Sequence, residues 1–195
     1  MEAIGKILKI NKIIKQALII IVGSILLAIS AKIKIPFYPV PMTMQTFMVL
    51  FFGLAFGYKI GLTIVTLYLL EGIIGLPVFA NTPEKGIGLT YFIGPTMGYL
   101  IGFLIAVYFA GIRRDWLIWS NYQLLNSLTI FIRLIFSVSF IYILGVIWLG
   151  TLIGWEKPIF KLGVQPFLLA ELFKILLLLF LIPTLLKVKK LIKAT

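Results

Sequence analysis

Two ionisable residues stand in a stretch that is otherwise hydrocarbon. Glu171 and Lys174 occur in Gly163-Val164-Gln165-Pro166-Phe167-Leu168-Leu169-Ala170-Glu171-Leu172-Phe173-Lys174, and an apolar run from Ile175 to Pro183 follows. Three positions apart, they share one face of a helix. An ionisable group in a membrane-length helix is expensive and is usually kept for function. The structural alternative is a self-satisfied pair near the interface with the lysine snorkelling, and the functional reading is preferred to it. A carboxylate and an ammonium at this spacing can bind a polar ligand by accepting and donating hydrogen bonds. Asn81, with a donor pair and an acceptor, suits an amide-like ligand, although an Asx-type turn explains it as well. Thr43 and Gln45 bring further polar groups to the start of a helix, where Thr43 as a simple cap is the alternative.

Catalytic chemistry has few carriers here. The chain has no cysteine and no histidine, which removes thiolate nucleophiles, sulfur-ligated metals and imidazole acid–base work. Glu71, Glu84, Asp115, Glu156 and Glu171 fall in separate segments, so no carboxylate cluster for a metal or a hydrolase is expected. No G-x-x-x-x-G-K-[ST] phosphate loop occurs, so no ATPase of its own is expected. The residues point to binding, with neither metal nor cofactor.

The elements that must position these groups are membrane helices. The 195 residues are 62% hydrophobic and 12% charged, about half the charge a soluble domain uses for its polar shell. A bilayer removes the need for that shell. At about 20 apolar residues per crossing, the clear spans are 16–35, 91–112, 126–150 and 165–187. The apolar stretch Phe47–Leu76 is interrupted by Gly53, Gly57, Tyr58, Lys59 and Gly61. It divides into 45–57 and 61–76 with a turn near Tyr58-Lys59. The expectation is an all-α, six-helix transmembrane bundle forming a single membrane domain over 1–195.

Charge supports an even count with both termini cytoplasmic. Lys6, Lys9, Lys12 and Lys15 precede the first span, and Lys187, Lys189, Lys190 and Lys193 follow the last. With Lys59, Arg113 and Arg114 this puts about eleven basic residues inside, against about five outside (Lys32, Lys34, Lys85, Lys157, Lys161). The same placement accounts for the net charge of +12 without nucleic acid. The basic start, the run Ala17–Ile29 and Ala28-Ile29-Ser30 imitate a secretory signal. Retention as a membrane anchor is expected, because the run is long and further spans follow.

The motif-like sequence falls on the opposite, outer side. Ile35-Pro36-Phe37-Tyr38-Pro39-Val40-Pro41-Met42-Thr43-Met44-Gln45 is a stiff, extended segment by its prolines. A long second loop runs from Gly75-Leu76-Pro77-Val78-Phe79-Ala80-Asn81 to Gly94-Pro95-Thr96-Met97-Gly98-Tyr99, and loops of that length are commonly lids or binding loops. Gly94, Gly98 and Gly102 share a helix face suited to close packing. The third loop opens the last span at Gly163.

These segments together resemble the BioY family, the biotin-specific S components of energy-coupling-factor (ECF) transporters. The resemblance rests on Ile35-Pro36 with Pro39-Val40-Pro41-x-Thr43-x-Gln45, Gly75-Leu76-Pro77-Val78-Phe79-Ala80, Gly94-Pro95-Thr96-x-Gly98-Tyr99-x-x-Gly102-Phe103, Tyr142-x-x-Gly145-Val146 and Gly163-Val164-x-Pro166-Phe167. They appear in the family's order and cover about residues 24–183. The family usually carries an aspartate at the position of Glu171 and a glycine at Ala170. The connection from Arg113 to Asn126 does not match.

The resemblance implies biotin uptake at the cell membrane by a multi-pass, non-enzymatic binding subunit. Glu171 would accept from the ureido N–H groups, and Lys174 would donate to the carbonyl or balance the carboxylate. Asn81 would serve either polarity, and Phe79, Tyr91 and Phe92 would cover ring and tail. The implied partners are a transmembrane coupling subunit and two ATPase subunits. The coupling subunit would dock on small residues of the first helix, Ser24, Ala28 and Ala31, for which internal packing is the alternative. An S component for thiamin or riboflavin, and an intramembrane enzyme acting on a lipid-linked substrate, are the rival readings.

Overall fold

Long apolar segments in a medium without water must satisfy their backbone internally, and helices do so. The computed structural model describes the backbone of residues 2–35, 38–112 and 123–194, and side chains within 13–34, 38–112 and 127–182. The lysines at 6, 9, 12, 187, 189, 190 and 193 lie outside the described side chains. Residues 113–122 of the 111–130 connection, Arg113 and Arg114 among them, and Pro36 and Phe37 lie outside the described residues altogether.

The helices are α1 (Glu2–Lys32), α2 (Gln45–Phe56), α3 (Tyr58–Ile73), α4 (Leu89–Phe92), α5 (Met97–Gly111), α6 (Gln123–Ile153), α7 (Ile159–Gly163) and α8 (Leu168–Ala194). A 3-10 turn, Gln165–Phe167, leads into α8. Among the described residues the fold is all-helical apart from one antiparallel pairing of two-residue strands, β1 (Lys34–Ile35) and β2 (Met42–Thr43), with Lys34 opposite Thr43.

Helix boundaries differ from the expected spans for local reasons. α1 stops at Lys32, not 35, because Lys34 and Ile35 are engaged in the β1–β2 pairing. The turn between α2 and α3 is the single residue Gly57 at φ 82°, so the helix resumes at Tyr58 itself. Gly57 closes α2 by donating its N–H to Gly53 O at 2.9 Å and accepts from Gly61 N at 2.9 Å. The expected span 91–112 is divided: α4 ends at Phe92, and α5 begins only at Met97. Pro95 lacks an N–H and disfavours helix at Gly94, which breaks the run there.

Among the described residues, three stretches, Ile13–Lys32, Ser127–Ile153 and Ile159–Ile182, are long and apolar enough to cross a membrane. α2 and α5 are apolar but shorter, at 12 and 15 residues. At 1.5 Å per residue the 12 residues of α2 reach only about 18 Å of the ~30 Å hydrocarbon layer. Large apolar side chains point outward along the long helices, among them Leu18, Ile25, Ile132, Phe173 and Phe180. That surface suits lipid and would be a liability in water.

The bundle is closed by glycines where α5 meets α6. A Cβ on Gly98 would lie 2.3 Å from Leu144 O, and one on Gly102 would lie 2.6 Å from Ile141 Cα. Gly145 answers from α6 by seating the Tyr99 ring. One core cluster gathers Phe52, Tyr68, Phe79, Tyr99, Phe103 and Ile141; a second joins α2, α6 and α8 through Leu50, Leu134, Ile175 and Leu178.

Candidate functional site

The polar side chains converge at one end of the bundle. Pro166 and the 3-10 turn deliver the chain into α8, which puts Glu171 in its first turn, where the helix dipole favours a carboxylate. Glu171 and Lys174 are both buried, at 5% and 4% exposure, and so do not face lipid. Lys174 Nζ spends its three protons on Glu171 Oε1 (2.8 Å), Thr46 Oγ1 (2.8 Å) and the carbonyl of Thr43 (2.6 Å). Thr46 donates in turn to Glu171 Oε1 at 2.9 Å. Glu171 Oε2 is buried and meets no hydrogen-bond partner among the described residues. Breaking such a buried pair by removing one partner typically costs about 3–5 kcal/mol.

Thr43 and Gln45 form the next layer. Gln45 donates its backbone N–H to Thr43 Oγ1 (3.3 Å), and the Thr43 hydroxyl donates to Gln45 Oε1 (3.1 Å). Thr43 thus satisfies the first amide of α2 from the position before the N-cap, which is Met44 and not Thr43 as the capping alternative had it, while its carbonyl serves Lys174. Gln45 Nε2 donates to the Tyr68 hydroxyl at 2.6 Å, and that hydroxyl donates to Val78 O at 3.3 Å.

All three motif-bearing connections border one cavity. Its walls include Pro41, Thr43, Ala80, Phe167, Gln45 and Glu171, with Thr46, Tyr91, Thr96, Tyr99 and Tyr142 adding polar groups. The enclosed space is about 50 Å³, inside a cleft of about 520 Å³ once the region open at its mouth is included. An apolar groove of about 500 Å³ runs between α6 and α7–α8, and it shares Tyr142 and Glu171 with the cavity.

The roof is the segment Val78–Thr82, and side chains from four places hold its oxygens. Tyr68 of α3 reaches Val78 O. Tyr91 of α4 donates to Ala80 O at 2.7 Å. Lys32, at the end of α1, donates to Phe79 O (2.9 Å), Thr82 O (3.2 Å) and Thr82 Oγ1 (2.9 Å). Lys34 donates to Asn81 Oδ1. Phe79 anchors the segment by stacking on Tyr91 (4.8 Å between centroids) and by lying over Gly72, where a Cβ would come within 2.0 Å of the ring.

The expected site residues therefore separate into groups. Thr43, Gln45, Tyr91 and Glu171 line the cavity, and Lys174 stands directly behind Glu171. Phe79 and Phe92 do not line it. They pack edge to face at 5.3 Å beneath the roof and support it from within the core. Asn81 also stays outside the lining, at φ 60° and engaged with Lys34, so its place is in the turn that shapes the roof. Thr46, Tyr99 and Tyr142 also line the cavity but were not assigned a role from sequence. Thr46 is the second residue of α2, directly after Gln45, and the expected span 45–57 already placed it at the start of that helix.

The small residues of α1 turn inward. Ser24 and Ala31 are fully buried, and Ser24 donates to Glu71 Oε1 of α3 at 2.8 Å. Ala28 is partly buried against the core. The stripe thus packs within the bundle, because small side chains let α1 and α3 approach. The outward face of α1 carries Leu18, Ile21, Val22, Ile25 and Ile29.

Comparison with known proteins agrees with this arrangement. The "Probable biotin transporter BioY" of Pyrococcus horikoshii is 35% identical over 149 residues, 76% of this chain and 82% of that protein. The "Biotin transporter BioY" of Thermotoga maritima is 33% identical over 150 residues, 77% of this chain and 83% of that protein. The crystal structure at 2.1 Å of the S-component for biotin from an ECF-type ABC transporter has the same fold. Its TM-score is 0.73 at 23% identity, over 92% of this chain and 93% of that one. The sequence profile of the BioY family matches residues 4–191, and the chain is a member of the BioY family.

Proposed function

We propose that this chain is a biotin-binding S component of an ECF-type transporter, carrying out the capture step of vitamin uptake. The observation that carries the reading is the buried Glu171–Lys174–Thr46 cluster, whose carboxylate borders a cavity closed by all three motif-bearing connections. Biotin's ureido group has two N–H donors and one carbonyl. Glu171 Oε2, buried with unused lone pairs, accepts from the N–H side. Lys174 balances the charge, while Thr43, Gln45 and Tyr142 complete the polar contacts. The aromatic and aliphatic walls cover the thiophane ring, an apolar pocket with few placed polar groups. Asn81, Phe79 and Phe92 act through the roof.

The enclosed volume of about 50 Å³ is far below the roughly 300 Å³ at which ligand pockets begin. Binding therefore requires a wall to move. The segment Val40–Thr43, the roof around Ala80 and the turn at Thr96 are the walls not built from helix.

Six crossings with both termini cytoplasmic are the topology this reading needs, with α4–α5 serving as one crossing and the cavity facing outward in the cell membrane. The partners are a transmembrane coupling subunit and two ATPase subunits. The outward apolar face of α1, with Ala28 at its edge, offers a docking surface in lipid. Equilibrium dialysis of the detergent-purified chain against labelled biotin, with thiamin and riboflavin as competitors, tests the reading. Retention of biotin that neither competitor displaces is expected. Equal retention of another of these vitamins, or none of biotin, contradicts it.

A further inference from the structure

Tyr68 is fully buried on α3 and does not line the cavity, yet it touches both the site and the roof. Its hydroxyl accepts from Gln45 Nε2 at 2.6 Å and donates to Val78 O at 3.3 Å. Gln45 is a cavity-lining residue whose other amide end is fixed by Thr43. Thr43 in turn lends its carbonyl to Lys174, beside Glu171. A chain of hydrogen bonds thus runs from the Thr43 hydroxyl through the Gln45 amide and the Tyr68 hydroxyl to the roof segment, and the Thr43 backbone carbonyl joins its first residue to the buried ion pair. Its last link is its longest.

We propose that Tyr68 is a positioning residue that ties ligand engagement at Gln45 to closure of the roof. The physical basis is polarisation along a hydrogen-bonded chain in a low-dielectric interior. A ligand that donates to the second lone pair of Gln45 Oε1 makes the amide a stronger donor to Tyr68. The hydroxyl then donates more strongly to Val78 O, and the loose 3.3 Å link tightens. Val78 is joined through Phe79 to Ala80, the roof residue on the cavity wall, so occupancy draws the roof down. This rests on the cavity being the ligand site, and biotin is the ligand in the test.

Two measurements on purified full-length protein decide it. The first is amide hydrogen exchange of residues 78–86 without ligand. Tyr68→Phe should speed exchange there while leaving α5 and α6 unchanged. Gln45→Leu should do the same, and the double variant should resemble either single one. Thr82→Val removes a roof tie that does not pass through Gln45, and its effect should instead add to that of Gln45→Leu. The second is biotin kinetics. Tyr68→Phe should release biotin about tenfold faster with association changed less than about threefold, since loss of a closing contact acts mainly on dissociation. A residue that merely supports the fold would move neither the exchange of this one segment nor the rate split. Unchanged roof exchange in Tyr68→Phe, or full additivity with Gln45→Leu, overturns the proposal. If Tyr68→Phe does not fold, Gln45→Leu alone must loosen the roof or the proposal falls. Failure of the wild type to bind biotin would overturn the ligand assignment, while the exchange cycle would still decide the coupling.

Discussion

The α5–α6 seam and the α2–α8 contact hold the same bundle together by opposite means. Along α5 and α6, Gly98, Gly102 and Gly145 remove side chains so that backbone and ring can touch, and shape does the work. Between α2 and α8, a carboxylate, an ammonium and the Thr46 hydroxyl sit in a region where hydrocarbon would pack at lower cost. Replacing a buried ion pair with well-packed apolar residues is often neutral or stabilising by about 1–4 kcal/mol. The first region is what the fold needs. The second is, on the proposed reading, what a polar ligand needs.

Substitutions can break this contrast at either end. Gly98→Val should have the largest effect, because its Cβ would meet the backbone oxygen of Leu144 at 2.3 Å and Trp148 Cβ at 2.5 Å. Loss exceeding about 4 kcal/mol is expected, read as loss of monodisperse protein in detergent and collapse of the thermal transition. Recovery of wild-type melting would mean that the seam can part.

Glu171→Ala comes next. It strands Lys174 in the interior, so stability should fall by about 3–5 kcal/mol, and biotin binding should weaken by at least about 1–3 kcal/mol. The double change Glu171→Met with Lys174→Met sharpens the comparison. Melting should return to the wild-type value or exceed it, while biotin affinity stays lost. A double variant as unstable as Glu171→Ala would assign the pair a structural role.

Smaller effects are expected from changes that keep the chemistry or lie far from it. Glu171→Asp retains the charge on a shorter arm, and its affinity for biotin should shift by less than about tenfold, or about 1.4 kcal/mol. Ile25→Trp, on the outward face of α1, should leave biotin binding within about twofold yet abolish energised uptake, as bulk on a close-packed helix interface in lipid would. Undiminished uptake would remove that face from partner docking.

The helical class and the polar pair were legible because hydrophobicity over long runs and isolated charges within them are strong signals. Glu171 and Lys174 stand out in a chain with six carboxylates and no histidine. Helix ends were less so. The break at Gly94-Pro95 was read as helix packing from its glycine spacing, whereas the missing donor of Pro95 decides it. The turn at Gly57 depends on one positive φ that glycine permits and sequence only hints at. Asn81, Phe79 and Phe92 were expected to face the ligand because they sit in the right loop. Which side of a loop a residue faces depends on partners far away in sequence, here Lys34, Gly72 and Tyr91. Ser24 and Ala31 show the same ambiguity. A small-residue stripe marks a close helix contact without saying whether the neighbour is inside the chain or outside it.

Isothermal titration of biotin into the detergent-solubilised chain and into Glu171→Gln bears most directly on the buried cluster as the vitamin site. Glutamine nearly matches the shape but removes the charge and turns one acceptor into a donor. Saturable binding by the wild type, weakened at least about tenfold in Glu171→Gln, is the predicted result. Equal affinity in both proteins would contradict it.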